Sequence, residues 1–296
     1  MKEKPFSKYQ ILANAVMIIW TLAIILPFIL LFMSSITDEN TLVANGYSFF
    51  PKKFSLASYS YIIKSGGQIL KAYGVSIGVT VVGTLLNVLL SALMAYPLSV
   101  KNLPGRNVMM FFVFFTMLFN GGIVPSYIMW TGTFHIKDTI FAQLLPNFLL
   151  SAWNVMMIRT YFTTSIPDGL YEAAEIDGAS QFTIFWKIVL PLGKPILVTM
   201  GTFAGLAYWN DWTNGLYYIV KNTGLYNVQN LLNQMVQNIQ FLTQSSNSNV
   251  TAAASTIPAT GIQMAIAFVA ILPIMLISPS FQKYYAKGIA LGAVKG

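Results

Sequence analysis

The chain has 296 residues, of which 55% are hydrophobic and only 9% are charged, against roughly a quarter charged in an ordinary soluble domain. This composition excludes a typical water-soluble globular protein. The formal charge of +8 at pH 7 leaves nucleic acid, an anionic membrane surface or membrane topology as explanations. The absence of cysteine excludes a disulfide framework, a thiol nucleophile and a thiolate metal site.

Six apolar windows are each long enough to cross a bilayer as a helix, which takes about 20 predominantly apolar residues. The windows lack strand-type alternation, so we predict an all-α polytopic membrane protein with a single transmembrane domain over residues 1–296. The first window has no small-residue cleavage pattern, which favours a retained span over a signal peptide. The six predicted spans cover residues 11–33, 73–98, 108–130, 140–161, 196–220 and 258–279.

The distribution of Lys and Arg predicts the orientation of the chain. With six spans, both termini and the loops after spans 2 and 4 share one side, which holds 11 of the 17 Lys and Arg, against 6 on the other side. The positive-inside rule then places both termini in the cytoplasm. Topology and contact with membrane lipid therefore account for the basic excess without a nucleic-acid partner.

Two connections in the first half of the chain have different characters. Residues 37–67 contain several aromatic side chains and the Lys52-Lys53 pair, and we predict an ordered extracytoplasmic loop there. Residues 101–106 read Lys-Asn-Leu-Pro-Gly-Arg, a short basic turn typical of a cytoplasmic hairpin connection.

Span 3 contains Asn120-Gly121-Gly122 and Pro125. These residues indicate either a functional helix break or a surface on which a neighbouring helix packs closely. We favour close packing of a neighbouring helix on the two glycines.

A polar stretch from Pro167 to Pro191 interrupts the apolar chain. The run Ser165-Ile166-Pro167-Asp168 has the form of a helix N-terminus with proline in the first turn. The predicted helix continues to Ile176 and closes at Gly178, where a left-handed residue is inexpensive. Ser180 is predicted to cap a second helix, which Pro191 would stop before span 5. Four of the nine acidic residues of the chain lie here, namely Asp168, Glu172, Glu175 and Asp177.

The acidity of this stretch, within a predicted cytoplasmic loop over residues 162–194, suggests its function. An amphipathic helix lying on a membrane surface typically carries Lys and Arg to meet anionic lipid. The first helix of this loop is acidic instead, which suits docking to a basic protein partner. We therefore favour a protein-docking loop over an interfacial helix.

Span 5 contains the single carboxylate that falls inside a predicted span, in the run Trp209-Asn210-Asp211-Trp212. An ionisable residue within a membrane is costly and suggests a function. Amide, carboxylate and indole groups together suit a sugar path. Equally, the polar pair would hold an interhelical hydrogen-bond network while the tryptophans pack. Asn87 and Asn154 are weaker candidates for the same path.

Residues 221–255 form the last predicted external segment and are rich in Asn, Gln and Ser. Such a composition buries little apolar surface, yet apolar residues recur between Leu225 and Ile239 at near-helical spacing. We predict a short amphipathic helix followed by a flexible tip.

Several motifs together resemble one protein family over nearly the whole chain. Glu172-Ala173-Ala174, Asp177-Gly178 and Pro191 lie before the fifth of six spans. In this arrangement they resemble the EAA loop of permease subunits of binding-protein-dependent ABC importers. The run 119–125, the Trp209–Trp212 run and the terminal Gly292-Ala293-Val294-Lys295-Gly296 are similar to the carbohydrate-uptake branch, near the maltose-type second permease. Within that branch, the chain looks most like permeases for oligosaccharides and polysaccharide fragments.

The resemblance implies a permease that forms a heterodimeric pore with a second permease subunit in a prokaryotic cytoplasmic membrane. Two copies of an ABC ATPase subunit would bind ATP and Mg, and an extracytoplasmic solute-binding protein would deliver the sugar. Glu172, with Ala173, Ala174 and Asp177, would contact the ATPase. Gly178 would supply the turn and Pro191 the exit, and the tail with Gly292, Lys295 and Gly296 would reach toward the ATPase pair.

Enzymatic chemistry is not predicted for the chain itself. The single Gly-Lys pair, Gly193-Lys194, lacks the spacing of a phosphate-binding loop, so we expect no cofactor here and ATP hydrolysis on a partner. The lone His135 lies in a predicted external loop without other metal ligands, which favours surface placement. The alternatives that stay open are an importer of a non-sugar solute, an ion-coupled secondary transporter and a membrane enzyme, of which the first fits best.

Overall fold

A computed structural model of the chain describes residues 8–64, 66–244 and 259–293. Regular secondary structure in these ranges is helical, and one isolated antiparallel bridge pairs Thr37 with Phe54. The helices are α1 (Lys8–Ser35), α2 (Glu39–Asn45), α3 (Ala57–Lys64), α4 (Gly66–Ser99), α5 (Arg106–Leu118), α6 (Ile123–Ile128), α7 (Phe141–Leu144), α8 (Ala152–Ser165), α9 (Asp168–Ile176), α10 (Gln181–Ile184), α11 (Leu190–Leu192), α12 (Lys194–Asn210), α13 (Thr213–Tyr218), α14 (Val228–Gln244) and α15 (Ala259–Ala293), with π-helical turns at Met129–Thr133 and Phe185–Val189 and a 3₁₀ turn at Thr223–Leu225.

Long apolar helices confirm the all-α membrane fold. Within the described ranges, α1, α4 and α15 are each long and apolar enough to cross a membrane, and they coincide with predicted spans 1, 2 and 6. Two bent helix pairs raise the number of spans to as many as five if each pair is one span. The count of six spans stays a prediction.

Predicted span 3 is broken rather than continuous. Helix α5 ends at Leu118, and the helical segment that follows is bent from it by 109°. Gly122 has a φ of +86° and donates its N–H to Asn120 Oδ1 at 2.8 Å. A Cβ at Gly122 would meet no atom within 4 Å. The preference for close helix packing on these glycines is therefore wrong within this chain, because they form a helix break.

Predicted spans 4 and 5 are also shorter than their apolar windows. Between α7 and α8 the backbone leaves the helical path, and Asn147 adopts a φ of +67°. Ser151 then caps α8 by accepting the backbone N–H of Asn154 at 3.5 Å. Helix α12 ends at Asn210, so Asp211 lies between two helices rather than inside one. Apolar composition predicted the membrane segments but not where they bend.

The chain divides into two compact units. The first unit comprises residues 1–69 and 232–273 and contains α1, α2, α3 and the first part of α15. In this unit, the Glu39 carboxylate accepts the backbone N–H groups of Thr260 at 2.9 Å and Gly261 at 2.8 Å. A carboxylate at the first turn of a helix stabilises it by satisfying free N–H groups and opposing the helix dipole. The predicted external segment after span 1 is thus ordered.

The second unit comprises residues 70–231 and 274–296. One apolar cluster of this unit joins the C-terminal part of α4 to α8 and the α10–α11 segment, around the buried Tyr96, Ile158, Phe162 and Phe185. Van der Waals packing of this kind, rather than the hydrophobic effect, stabilises helix association inside a bilayer. This cluster also supports the acidic loop that carries α9.

The amphipathic helix predicted in residues 221–255 is present as α14. The flexible tip predicted after it lies outside the described residues.

Candidate functional site

Helix α9 forms the centre of the acidic loop. Its first residue is Asp168 and its N-cap is Pro167, whose side chain makes no capping hydrogen bond. The sequence suggested that Ser165 begins α9, but Ser165 is the last residue of α8 and does not cap α9. Asp168 instead supplies negative charge in the first turn, which suits the helix dipole, and it pairs with Lys101.

A tight turn follows α9 as predicted. Gly178 has a φ of +75°, which costs little only for glycine. The N–H of Ala179 donates to the carbonyl of Ala174 at 2.9 Å, which closes the helix. Ser180 then caps α10, because its hydroxyl accepts the N–H of Thr183 at 3.2 Å. The arrangement of a helix, a glycine turn and a second helix is therefore confirmed.

The predicted role of Pro191 as the helix stop is wrong. Pro191 lies inside the helical segment that ends at Leu192, and a bend of 79° separates this segment from α12 at residue 193. A Cβ at Gly193 would lie 2.5 Å from the Phe162 ring and 2.9 Å from the Val189 carbonyl oxygen. Glycine is required at the bend because α8 packs directly against its backbone.

The inner face of α9 is held to the apolar cluster by Tyr171 and Ala174. The Tyr171 ring stacks on Tyr96 of α4, with centroids 6.3 Å apart. The Tyr96 hydroxyl donates to Gln181 Oε1, and Gln181 Nε2 donates to Glu175 Oε1 at 2.8 Å. Burial raises the pKa of the Tyr171 phenol, so this ring stays neutral. Helix α9 is thereby tied to the long helix α4 on one side and to α10 on the other.

The outer face of α9 is exposed and combines acidic with apolar groups. Glu172, Ala173 and Asp177 are exposed, and the Ile176 side chain is 87% exposed. Phe182 extends this surface beyond the turn with 67% of its side chain exposed. Within the described parts of the chain, neither Glu172 nor Asp177 forms an ion pair. An exposed acidic and apolar surface of this kind suits a protein partner.

Asp211 has a different environment at the break after α12. Only 5% of this residue is exposed. Its Oδ1 atom accepts the N–H of Thr213 at 3.0 Å, the Thr213 hydroxyl at 2.7 Å and the N–H of Asn214 at 3.3 Å. These bonds cap α13. The second carboxylate oxygen, Oδ2, is buried without a hydrogen-bond partner among the described residues.

A network of buried amides surrounds this break. Asn227 donates to the Asp211 carbonyl at 2.6 Å, and Asn230 donates to the Trp212 carbonyl. Gln143 donates to Asn230 Oδ1 at 3.2 Å. Sequence reasoning missed Gln143, Asn227 and Asn230, although polar residues beside apolar runs were a signal for them. In a bilayer such amides satisfy backbone groups that the helix breaks release.

The four predicted path residues do not share one environment. Trp209 is buried and lies 6.3 Å from the Tyr73 ring, centroid to centroid. Asn210 is exposed, and Trp212 is 43% exposed. The structure therefore separates a buried pair, Trp209 and Asp211, from an exposed pair, Asn210 and Trp212.

The two weaker path candidates contact each other. Asn154 Nδ2 donates to Asn87 Oδ1 at 2.7 Å, and Asn87 Nδ2 donates to the Phe148 carbonyl at 2.6 Å. Both asparagines are buried. Their hydrogen bonds join α4 to α8 and to the irregular segment that precedes α8, so these two side chains hold the fold together.

The remaining predicted positions lie at the periphery. His135 is exposed, and the described residues contain no group of three His, Cys, Asp or Glu that would hold a metal ion. Gly292 lies in the last turn of α15. Lys295 and Gly296 lie outside the described residues.

The chain is similar to known proteins over most of its length. The profile of the family described as "Binding-protein-dependent transport system inner membrane component" matches residues 72–291. Protein LplC of Bacillus subtilis (strain 168) is 36% identical over 92% of this chain and 90% of its own. The polygalacturonan/rhamnogalacturonan transport system permease protein YtcP of the same organism is 36% identical over 97% of this chain and 98% of its own.

A solved structure is similar in both sequence and fold. It is the crystal structure of a bacterial ABC transporter involved in the import of the acidic polysaccharide alginate. One of its chains matches with a TM-score of 0.79 and 26% identity, over 95% of this chain and 100% of that chain.

Proposed function

Because the chain belongs to the family of inner membrane components of binding-protein-dependent transport systems, we propose that it is a permease subunit of an ABC importer for oligosaccharides. The similarity to YtcP over 97% of the chain is the observation that carries the choice of cargo. The structural similarity to the alginate importer chain, with a TM-score of 0.79, supports the same class of cargo.

The proposed importer needs further subunits. A second permease would complete the pore, and an extracytoplasmic solute-binding protein would deliver the sugar. Two copies of an ABC ATPase subunit would hold ATP and Mg, since this chain has no phosphate-binding loop. With both termini in the cytoplasm, as the distribution of Lys and Arg favours, α9 would face those ATPase subunits.

In this proposal, the outer face of α9 docks into the ATPase. Glu172 would pair with a basic group of the partner, while Ala173 and Ile176 would fill an apolar groove beside it. Once such a pair is desolvated at an interface, removing one partner leaves a buried unpaired charge and costs far more than breaking an exposed pair. Exposure of Glu172 and the 87% exposure of Ile176 are the observations that support this role.

Force would pass from α9 to the membrane through its inner face. The Tyr171 ring on Tyr96 and the Gln181 bridge connect α9 and α10 to the end of α4. Arg106 and Arg159 both donate to the Leu98 carbonyl, at 3.0 and 3.2 Å, which holds that end of α4 to α5 and α8. Closure of the ATPase pair would thus move α4, α5 and α8 together.

Charge reversal tests this docking role. Glu172→Lys is expected to lower sugar uptake and co-purification of the ATPase by about thirtyfold or more, since losing one member of a desolvated charge pair costs about 2–5 kcal/mol. Glu172→Gln should have a smaller effect, and Lys52→Glu, a charge reversal at an exposed lysine outside the acidic loop, should have none. Normal uptake and co-purification of Glu172→Lys at wild-type membrane levels would contradict the docking role.

The cargo proposal is tested by uptake in cells that lack the gene. Complemented cells should take up oligosaccharides in an ATP-dependent manner, and oligosaccharides rich in uronic acid are the first to test, because YtcP and the alginate importer chain are named for acidic polysaccharides. The arabinooligosaccharide permease AraQ of Bacillus subtilis, 26% identical, justifies a neutral pentose oligosaccharide as the second probe. Uptake of a non-sugar solute alone would favour the alternative importer class.

For the path, we assign the exposed pair and the buried pair of residues 209–212 different roles. Asn210 and Trp212 would contact passing sugar, since a ring face and an amide suit C–H and hydroxyl groups. Asp211 and Trp209 would hold the break between α12 and α13. The ion-coupled alternative is weakened because Asp211 is engaged in capping α13.

A further inference from the structure

A groove of about 470 Å³ lies against the N-terminal part of α4. Val79 of α4 and Leu144 of α7 pack on the buried Tyr208 and form its floor. Ile140 also lines it, and Lys71 is the first of its lining residues along α4. The volume falls within the range of small-ligand sites, and the groove is not used by the proposed transport machinery.

Two glycines keep the groove open on the α4 side. Gly74 and Gly78 both line it, and a Cβ added at either position would meet no atom within 4 Å. By contrast, Gly83, one turn further along α4, is in contact with the Tyr208 ring, 2.4 Å from where its Cβ would be. The space beside Gly74 and Gly78 is therefore not filled by any residue that the structure describes.

Of the described residues that line the groove, Lys71 is the one that carries a charge. It is exposed, and no ion pair within the described ranges includes it. No carboxylate among the described residues lines the groove. The site thus combines apolar walls with a single uncompensated cation, which is complementary to an amphiphile with an anionic head.

The depth of these residues along α4 fits a lipid. The predicted span begins at residue 73, so Lys71 lies where headgroups meet the hydrocarbon. Gly78 and Val82 follow Lys71 by seven and eleven residues, which is roughly 10 and 16 Å along a helix. The charge therefore stands at headgroup depth, and the apolar groove extends from it into the acyl-chain region.

We propose that this groove binds one acyl chain of an anionic phospholipid, whose phosphate pairs with Lys71. A sugar is disfavoured here because its hydroxyl groups would face valine, leucine and isoleucine side chains without hydrogen-bond partners. The lipid would hold α4 and α7 together at the external end of the unit that carries the transport residues.

Native mass spectrometry tests the site. The full-length chain, with the subunits that purify with it, would be released from nanodiscs made of equal amounts of phosphatidylglycerol and phosphatidylcholine. The wild-type protein should retain phosphatidylglycerol preferentially. Lys71→Ala should lower the retained ratio of the two lipids by about fivefold, the effect of one Lys near an anionic surface. Lys71→Arg should preserve the ratio, and Lys64→Ala, an exposed lysine outside the groove, should leave it unchanged.

Filling the groove provides a second, independent variant. Gly78→Leu should lower retention of both lipids, because the added side chain occupies the space of the acyl chain. Gly74→Leu replaces it if Gly78→Leu does not accumulate in the membrane. An unchanged lipid ratio in Lys71→Ala would overturn the proposal. The proposal would also be overturned if a groove-filling variant lost a partner subunit or sugar uptake while its lipid retention stayed unchanged. Those results would assign the groove to a partner helix or to the sugar.

Discussion

On the outer face of α9, Glu172 and Asp177 are exposed and form no ion pair among the described residues, whereas Asp211, at the break after α12, is 5% exposed and accepts three hydrogen bonds. The two regions hold carboxylates of the same chemical type for different purposes. An exposed carboxylate keeps its charge available to a partner. The buried Asp211 carboxylate binds Thr213 and Asn214 through its Oδ1 atom, while its Oδ2 atom is buried without a hydrogen-bond partner among the described residues.

The packing around the two regions differs in the same sense. Helix α9 contacts the rest of the unit mainly through Tyr171 and Ala174, and Gly169 on it has open space around it. Around Asp211, a Cβ at Gly215 would lie 1.9 Å from Asn230 Oδ1. The docking surface is thus attached at few points, while the break after α12 is tightly constrained. Four predictions test this comparison, beginning with the largest expected effect.

Removing the main attachment of α9 should have the greatest effect. Tyr96→Ala deletes a buried ring that contacts Tyr171, Phe185 and Gln181, and is expected to cost about 3–5 kcal/mol. Tyr96→Phe keeps the ring contacts and removes one hydrogen bond, at a cost of about 1 kcal/mol. Thermal unfolding in detergent, followed by tryptophan fluorescence, measures both. Equal effects of the two variants would mean that the rings do not hold α9.

Paired glycine substitutions compare the two regions directly. Gly215→Ala should destabilise the protein by about 1–3 kcal/mol, because the added methyl displaces Asn230 from the amide network. Gly169→Ala, in open space on α9, should be neutral or stabilising by up to about 1 kcal/mol. The same unfolding assay applies. If Gly169→Ala destabilised as much as Gly215→Ala, α9 would be as tightly packed as the break.

Two substitutions of Asp211 distinguish a structural role of its carboxylate from a requirement for its charge in transport. Asp211→Ala removes the cap of α13 and should cost about 1–2 kcal/mol. Asp211→Asn retains an acceptor oxygen at the Oδ1 position, so its stability should lie near that of the wild type. A requirement for the charge in sugar uptake would instead appear as loss of uptake in Asp211→Asn at normal stability, and would return Asp211 to the substrate path.

The Asp138 carboxylate should make the stability of the protein depend on pH. Its Oδ1 atom accepts the N–H groups of Lys221 and Val220, each at 2.7 Å. These bonds lower the pKa of Asp138 below its usual 3.8. A pKa that is lower in the folded state than in the unfolded state stabilises the protein at pH values above the unfolded-state pKa. This stability is lost as the pH falls through the folded-state pKa. Asp138→Asn should flatten the fall in unfolding temperature below pH 3.8, and an unchanged acid limb would contradict this assignment.

Local sequence signals were sufficient for α9 and the turn after it. Gly178 and Ser180 act through hydrogen bonds to residues within a few positions of themselves, so their roles follow from residue type and spacing. The helix start predicted at Ser165 was wrong because α8 continues to this residue. The helix stop predicted at Pro191 was wrong because the helical segment continues to Leu192 and the bend falls at Gly193, where the Phe162 ring of α8 leaves no room for a side chain.

By itself, the sequence determined that this protein is an all-α membrane permease with an acidic loop, because apolar length, capping residues and family motifs are local properties of the chain. Only the tertiary structure decided where the apolar windows break and which carboxylates are available. Those outcomes depend on groups distant in sequence, such as Asn227 on the Asp211 carbonyl and Asp138 on residues 220–222. A helix can be interrupted inside an apolar window when such partners satisfy the backbone groups that the interruption exposes.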